Sequence, residues 1–251
     1  MKRVYTISAS PILALVPSII FKLRLKKLPI IVVLQNVIHK TLLMIISHRG
    51  FWIKEEEKNS VEAFERSFSL GFGTETDIRD FNGELVISHD IPTDKEITLK
   101  RFFEIFNSFD PTLPLALNIK SDGLQSHIFG LLQEYNILNY FVFDMSVPDA
   151  LGYLKRNINA YTRESEYEQI PSFYKSAKGV WMDEFNGSWI EPENINKHLN
   201  NKKEVCIVSP ELHKRTYLSE WNKYKEAFNF VDNESLHICT DKPQEAKEFF
   251  K

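Results

Sequence analysis

Two histidines and two cationic side chains are the residues of this sequence best suited to acid–base chemistry on an anion. His48 is followed by Arg49 and a glycine, and His89 comes later with Asp90 beside it. Imidazole titrates near neutrality, so two such groups can divide the roles of general base and general acid. Arg49 and Lys120 are the kind of cation that holds an anionic phosphate.

A pair of carboxylates suggests a metal site. Glu75 and Asp77 are two positions apart in a predicted strand, so their side chains point to the same side and repel each other unless a cation or a proton lies between them. Oxygen ligands alone suit Mg²⁺ or Ca²⁺, whereas two histidines within reach would allow Zn²⁺ or Mn²⁺. The alternative is a solvated acidic pair on an edge strand.

Strands and helices alternate from Met44 onward, as in parallel sheets whose strands are joined by crossover helices. The predicted strands are 43–47, 73–79, 115–119, 140–143, 160–162, 179–182, 205–208 and 236–239. The predicted helices are 60–70, 99–107, 124–135, 148–156, 166–176, 192–199, 218–228 and 243–250. This α/β pattern favours a compact (β/α)8 barrel, also called a TIM barrel, over a doubly wound open sheet.

A hairpin is predicted after the second strand. Asn82 and Gly83 form a strong turn signal between two strand-like runs, so a small ribbon should return the chain to His89 near the barrel mouth. No repeat or Pro/Gly-rich linker divides residues 44–251, which we interpret as one domain.

Polar residues follow the predicted strands at their carboxyl ends, which is the face of a barrel on which active sites are built. They are His48, Arg49, Glu75, Asp77, Asn118, Lys120, Asp144, Ser146, Arg163, Glu164, Asp183, Ser209, Thr240 and Asp241. Any strand-to-loop boundary tends to be polar, and this explanation suffices for the polar residues after strands four to eight. We assign the site to the first three strands, whose histidine, cations and paired carboxylates need a more specific explanation.

Composition excludes several classes of protein. The 251 residues include 31 Lys and Arg against 34 Asp and Glu, a net charge of −3, which excludes the basic footprint of a nucleic-acid binder. Two cysteines, Cys206 and Cys239, are too few for a disulfide framework or a four-cysteine zinc site, and we expect both to be buried.

The first 43 residues differ from the remainder. Residues 1–40 contain seven of the bases and no acid, which leaves a formal charge of −10 on residues 41–251. The apolar runs 11–21 and 28–38 are too short to span a bilayer, and no clear signal-peptide cleavage site follows the first.

Three interpretations of segment 1–43 remain open: a basic amphipathic membrane-surface anchor, an extra packing element, or residues outside the native fold because translation starts at Met44. We favour the third. The expected location is cytoplasmic, with membrane association through this segment as the alternative.

The order and spacing of several motifs resemble the glycerophosphodiester phosphodiesterase family. These motifs are His48-Arg49-Gly50, the run Asn-Ser-Val-Glu-Ala-Phe at 59–64, Gly71, Glu75-Thr76-Asp77, the run from Asn82 to Asp90, and Thr240-Asp241-Lys242-Pro243. The similarity extends over nearly all of residues 44–251.

The resemblance implies a (β/α)8 barrel with an insertion after the second strand, and hydrolysis of a small-molecule phosphodiester with a divalent cation, Mg²⁺ or Ca²⁺. The roles it implies are acid and base for His48 and His89, phosphate contacts for Arg49 and Lys120, and metal ligation for Glu75 and Asp77.

One position departs from the family pattern. The family usually has Glu-Ile-Lys after the third strand, with the glutamate as a metal ligand, whereas this chain has Asn118-Ile119-Lys120. The Asn118 amide oxygen can still coordinate, but one negative charge is lost. We therefore expect either weaker metal binding in the free protein, with the substrate phosphate supplying the missing anion, or a catalytically impaired relative.

Two further residues have both a functional and a structural interpretation. Arg163 is a candidate contact to the phosphate or its substituent, or else part of an ion pair, and Trp181 lines the substrate pocket or belongs to the core.

A phosphoryl-ligand-binding barrel without catalysis and a membrane-associated accessory protein remain as alternative functions. The sequence leaves open the oligomeric state, the order of acid and base, and whether water or a neighbouring substrate hydroxyl attacks.

Overall fold

The computed structural model of the chain describes residues 43–228 and 235–251, so the predictions for residues 1–42 lie outside the described residues. The described residues form nine strands: β1 (Met44–His48), β2 (Gly73–Phe81), β3 (Glu84–Ile87), β4 (Leu115–Ile119), β5 (Tyr140–Phe143), β6 (Tyr161–Ser165), β7 (Gly179–Asp183), β8 (Glu204–Val208) and β9 (Leu236–Thr240).

Eight of these strands are parallel and nearly close into a barrel. Their order is β5-β4-β2-β1-β9-β8-β7-β6. The two ends of this order meet through a parallel bridge between Val142 and Ala160, where the Val142 N–H donates to the Asn159 carbonyl at 2.8 Å. This closure confirms the predicted (β/α)8 barrel and excludes the open sheet.

The hairpin after the second strand is also confirmed. β3 pairs with the end of β2 in antiparallel register, with Ile78 opposite Ile87 and Phe81 opposite Glu84. The two turn residues, Asn82 and Gly83, have φ values of 50° and 84°, the left-handed conformation that a two-residue hairpin turn requires.

Seven α-helices occur in the described part of the chain: α1 (Val61–Ser69), α2 (Leu99–Asn107), α3 (Gln125–Glu134), α4 (Val147–Lys155), α5 (Pro192–Asn200), α6 (Leu218–Phe228) and α7 (Pro243–Phe249). Short 3₁₀ helices are Glu55–Glu57 and Pro210–His213. Side-chain oxygens of Ser60, Thr98 and Ser146 cap the first turns of α1, α2 and α4. None of the described helices has the length and apolar character needed to span a bilayer.

The predicted helix 166–176 is wrong, because β6 and β7 are joined by turns and bends. The Ser165 hydroxyl accepts the N–H groups of Tyr167 and Glu168 and so favours a local turn over a helix. Pro171 lacks an N–H group, and Phe173 has a left-handed φ of 42°.

The barrel interior is filled by one cluster of apolar side chains, namely Ile46, Ala116, Phe141, Phe143, Tyr161, Trp181, Cys206, Val208 and Cys239. Two further clusters pack the helices against the outside of the barrel. Both cysteines are free and buried as predicted, and burial raises the pKa of each thiol. The packed interior leaves the carboxyl rim as the place for chemistry.

Candidate functional site

Strand β2 carries the acidic pair into the barrel. The hydroxyls of Thr74 and Thr76 bond outward to Ser67 and Asn59, so the alternating Glu75 and Asp77 face inward. Both carboxylates are buried, with exposures of 1% and 0%. Neither belongs to a solvated edge strand, which removes that alternative interpretation.

Glu75 receives polar contacts from two neighbouring strands. Its Oε2 accepts the Arg49 backbone N–H at 3.2 Å, its Oε1 accepts from Asn118 Nδ2 at 3.3 Å, and His48 Nε2 lies 3.9 Å from Oε2. Burial and the nearby Asp77 carboxylate together raise the pKa of Glu75 to about 7. An additional positive charge would relieve this repulsion.

Asp77 is surrounded by cations. Arg49 Nε lies 3.0 Å from its Oδ2 and Lys120 Nζ lies 3.4 Å from its Oδ1, while Asn59 Nδ2 donates to Oδ2 at 3.0 Å. Both cation contacts are ion pairs without hydrogen-bond geometry, since Arg49 Nε and Asp77 Oδ1 have no hydrogen-bond partner among the described residues. The two predicted phosphate-binding groups are thus held beside the predicted metal ligands.

His48 is oriented by a carboxylate that sequence reasoning did not assign. Its Nδ1 lies 2.7 Å from Asp241 Oδ1, and the Asp241 backbone N–H donates to the Glu211 carboxylate at 3.1 Å. The available signal was the position of Asp241 directly after the last barrel strand. This contact fixes the ring and directs Nε2 towards Glu75.

His89 lies on the hairpin side of the site and does not contact the other predicted residues. Its side chain is 45% exposed, with Nδ1 2.9 Å from Asp90 Oδ1. It lines a cavity of about 600 Å³ that Arg49 also lines. The Arg79 guanidinium donates to the backbone carbonyls of both His89 and Lys120 at 3.2 Å, so it ties the hairpin loop to the end of β4.

Arg163 and Trp181 have well-defined structural surroundings. Arg163 Nη1 lies 2.7 Å from Asp144 Oδ1 and its Nε bonds to Glu168, so the guanidinium belongs to an ion-pair network. Trp181 is 5% exposed and stacks on Phe143 with 3.9 Å between ring centroids. The ion pairs of Arg163 and the stacking of Trp181 are observed, and the substrate contacts expected for these two residues stay predictions.

The donor set fits a divalent cation through two carboxylates and one amide. Asp77 Oδ1 and Asn118 Oδ1 are buried oxygens that accept no hydrogen bond from any described residue. No group of three His, Cys, Asp or Glu side chains in the described ranges is arranged to hold a metal, so the amide of Asn118 would have to serve as the third protein ligand.

Sequence comparisons find neither a matching family model nor a matching curated protein. Solved structures do match. A candidate glycerophosphodiester phosphodiesterase from Galdieria sulphuraria has a TM-score of 0.68 at 17% identity, covering 84% of this chain and 99% of that one. The glycerophosphodiester phosphodiesterase of Agrobacterium tumefaciens has a TM-score of 0.60 at 12% identity, covering 82% and 100%.

A third structure contains a bound product. It is an Oleispira antarctica phosphodiesterase in complex with sn-glycerol-3-phosphate, with a TM-score of 0.59 at 14% identity, covering 83% of this chain and 96% of that one. At these identities the similarity establishes the fold. The chain therefore has the barrel fold of solved glycerophosphodiester phosphodiesterases, which confirms at the level of the fold the resemblance seen in its sequence.

Proposed function

We propose that this protein hydrolyses a small phosphodiester of the glycerophosphodiester type with the help of a divalent cation. The observation that carries the proposal is the convergence of a buried acidic pair, two cations and a carboxylate-oriented histidine at one rim of the barrel. The fold shared with solved phosphodiesterases supports it.

Arg49 and Lys120 would bind the phosphate. Both side chains form ion pairs with Asp77 in this structure. A phosphate oxygen that enters the site would take the place of the Asp77 carboxylate as their negatively charged partner. The Arg49 guanidinium and the Lys120 ammonium together would hold the ester in line for displacement and spread the developing charge.

His48 would serve as general base. In the tautomer whose Nδ1–H donates to Asp241, the His48 Nε2 carries the free lone pair, 3.9 Å from Glu75 Oε2, and would take a proton from water or from a neighbouring substrate hydroxyl. His89, which lines the same cavity as Arg49, would protonate the leaving alkoxide. The reverse assignment of the two roles remains compatible with this geometry.

The cation would be held by Glu75, Asp77 and Asn118. It would supply Lewis-acid polarisation of a non-bridging phosphate oxygen. With two carboxylates rather than three, the protein alone offers less negative charge, so we propose that the substrate phosphate completes the binding of Mg²⁺ or Ca²⁺.

The test is an assay of the full-length protein with glycerophosphocholine, glycerophosphoethanolamine and glycerophosphoinositol, each with Mg²⁺, Ca²⁺ or chelator. We expect release of glycerol phosphate that requires a divalent cation and is reduced at least about 10²-fold in His48→Ala. Turnover that persists both with chelator and in His48→Ala would contradict the mechanism.

A phosphoryl-ligand-binding barrel without catalysis is the second candidate, and Asn118 is the observation in its favour. It predicts binding of glycerol 3-phosphate by calorimetry with no turnover of any of the three diesters. Intact His48 and Asp241, held in hydrogen-bond contact, favour the enzyme.

A further inference from the structure

We propose that Asp144 is a positioning residue that holds the Lys120 ammonium in place for phosphate, with Arg163 as the anchor of Asp144. The inference rests on the proposed function, because it concerns the same phosphate site. It gives a role to two residues that contact neither His48 nor the acidic pair.

Lys120 lies between two carboxylates from the strands on either side of its own. Its Nζ is 3.4 Å from Asp77 Oδ1 on β2 and 3.7 Å from Asp144 Oδ2 after β5. The side chain is 19% exposed, so water screens these interactions only in part. The ammonium position is therefore set by a balance between Asp77 and Asp144.

The backbone of Asp144 brings its carboxylate to this position. Asp144 follows β5 directly and has a φ of 71°, a left-handed conformation that is uncommon outside glycine. Its side chain thereby reaches the carboxyl rim, with contacts to both Lys120 and Arg163. Strained conformations of this kind persist where surrounding contacts over-determine them.

Arg163 keeps Asp144 from pairing fully with Lys120. Its Nη1 lies 2.7 Å from Asp144 Oδ1, and its Nε is bonded to Glu168. One oxygen of Asp144 is thus committed to Arg163, while the other remains 3.7 Å from Lys120. The result is a row of alternating negative and positive side chains along the rim, in the order Asp77, Lys120, Asp144, Arg163 and Glu168.

This arrangement has opposite effects on phosphate binding and on turnover. When phosphate displaces Asp77 from Lys120, Asp144 remains as the second counter-charge and keeps the ammonium at the rim. Asp144 also weakens the attraction of phosphate in the ground state, because it is an anion close to the same site. Orientation is gained while ground-state affinity is reduced, and that combination favours turnover.

The test combines calorimetry with inorganic phosphate and steady-state kinetics on the full-length protein. We expect Asp144→Asn to bind phosphate about 3- to 10-fold more tightly and to lower kcat about 10-fold, since one anion and one restraint on Lys120 are lost. Arg163→Met should weaken phosphate binding about 3-fold, because the freed Asp144 then pairs more closely with Lys120.

The matched control is Asp122→Asn. Asp122 is exposed, follows β4 on the same rim and accepts only the Ser146 hydroxyl among the described contacts, so this variant removes the same charge without touching Lys120. We expect phosphate affinity and kcat within about 2-fold of wild type. Circular dichroism and thermal unfolding verify that each variant is folded.

Equal behaviour of Asp144→Asn and Asp122→Asn would overturn the proposal, as would weaker phosphate binding in Asp144→Asn. If Asp144→Asn fails to fold, unchanged phosphate affinity in Arg163→Met overturns it instead. Absence of turnover in the wild type would contradict the proposed function, while the phosphate affinities would still decide the role of Asp144.

Discussion

At the scale of single residues, the site is built from charges that neutralise one another. Glu75 and Asp77 repel each other, while the cations Arg49 and Lys120 lie 3.0 and 3.4 Å from Asp77 and the His48 imidazole lies 3.9 Å from Glu75. Removing one charged side chain therefore leaves its partner as a buried charge without a counter-charge, which makes individual residues of the site sensitive to substitution.

Asp241→Asn should lower kcat on the order of 10²-fold and change KM little. The amide can donate to the His48 Nδ1 as well as accept from it, so it no longer enforces the tautomer that leaves Nε2 free, although it preserves the shape of the contact. Steady-state kinetics on glycerophosphocholine measure both constants. A variant with wild-type kcat would show that this carboxylate does not orient the base.

Asn118→Glu should tighten binding of a divalent cation to the free protein at least about 10-fold. The substitution places a third carboxylate beside Glu75 and Asp77, and the number of charged ligands is a principal determinant of affinity for Ca²⁺ and Mg²⁺. Calorimetry with each metal, without substrate, is the measurement. Asn118→Gln is the matched control, since it has the length of glutamate without the charge, and equal affinities would contradict the ligand assignment.

At the scale of elements, the loop between β1 and α1 positions Arg49 by resting directly on the helix. The Phe51 N–H donates to the Ala63 carbonyl at 2.9 Å, and the Asn59 N–H donates to the Arg49 carbonyl at 2.9 Å. Gly50 makes this close approach feasible, because a Cβ there would lie 2.8 Å from Ala63 Cβ and 2.9 Å from its carbonyl carbon.

Gly50→Ala should destabilise the protein by about 2 to 4 kcal/mol and reduce kcat, because it adds a backbone clash to left-handed strain and displaces Arg49. Gly71→Ala is the control. Gly71 has a similar φ of 77° with nothing near its Cβ position, so it isolates the strain alone, about 1 kcal/mol. Urea unfolding and kcat are the measurements, and equal losses in the two variants would rule out the clash.

At the scale of the whole molecule, the imidazole of His237 lies inside the barrel, apart from the polar residues of the candidate site. It is on β9, four residues before Asp241. His237 is 5% exposed and its Nδ1 has no hydrogen-bond partner among the described residues. Burial lowers the pKa of His237 to about 4, with Glu204 opposing and Lys178 reinforcing the shift. The folded protein therefore keeps this imidazole neutral at pH values where the unfolded chain protonates it.

His237→Leu should make stability less sensitive to acid. The folded pKa lies below the unfolded value near 6.5, so protonation favours the unfolded chain as pH falls from about 6.5 to about 4 and has no effect above that range. In the wild type, the free energy of unfolding should fall by up to about 3 kcal/mol over this pH range. Urea unfolding at pH 7.5 and at pH 4.5, with chelator present, measures how much the free energy of unfolding changes between the two pH values in the wild type and in the variant.

The control for this measurement is His127→Leu, which removes an exposed imidazole on α3. We expect it to retain the wild-type dependence on pH. If His237→Leu loses as much stability as wild type between the two pH values, the buried imidazole is not the acid-sensitive group.

Local chemistry explains which elements were predictable. Apolar strands between turn residues, and the Asn82-Gly83 turn, have short-range causes, and all of these predicted strands and the hairpin are present. The helix predicted at 166–176 failed because its apolar spacing was helical while Ser165 and Pro171 favoured turns. Local hydrogen bonding decided against periodicity there.

The sequence by itself determined the barrel, its insertion, and the residue types His48, Arg49, Glu75, Asp77 and Lys120 at strand ends, because strand period and motif spacing are properties of the chain. Only the tertiary structure decided that Asp241 holds His48, that Asp144 shares Lys120, and that Arg163 and Trp181 are engaged in ion pairing and stacking. These contacts join residues on different strands, up to 193 positions apart. Closure of the barrel brings such strand ends together, and sequence spacing carries no record of which side chains then meet.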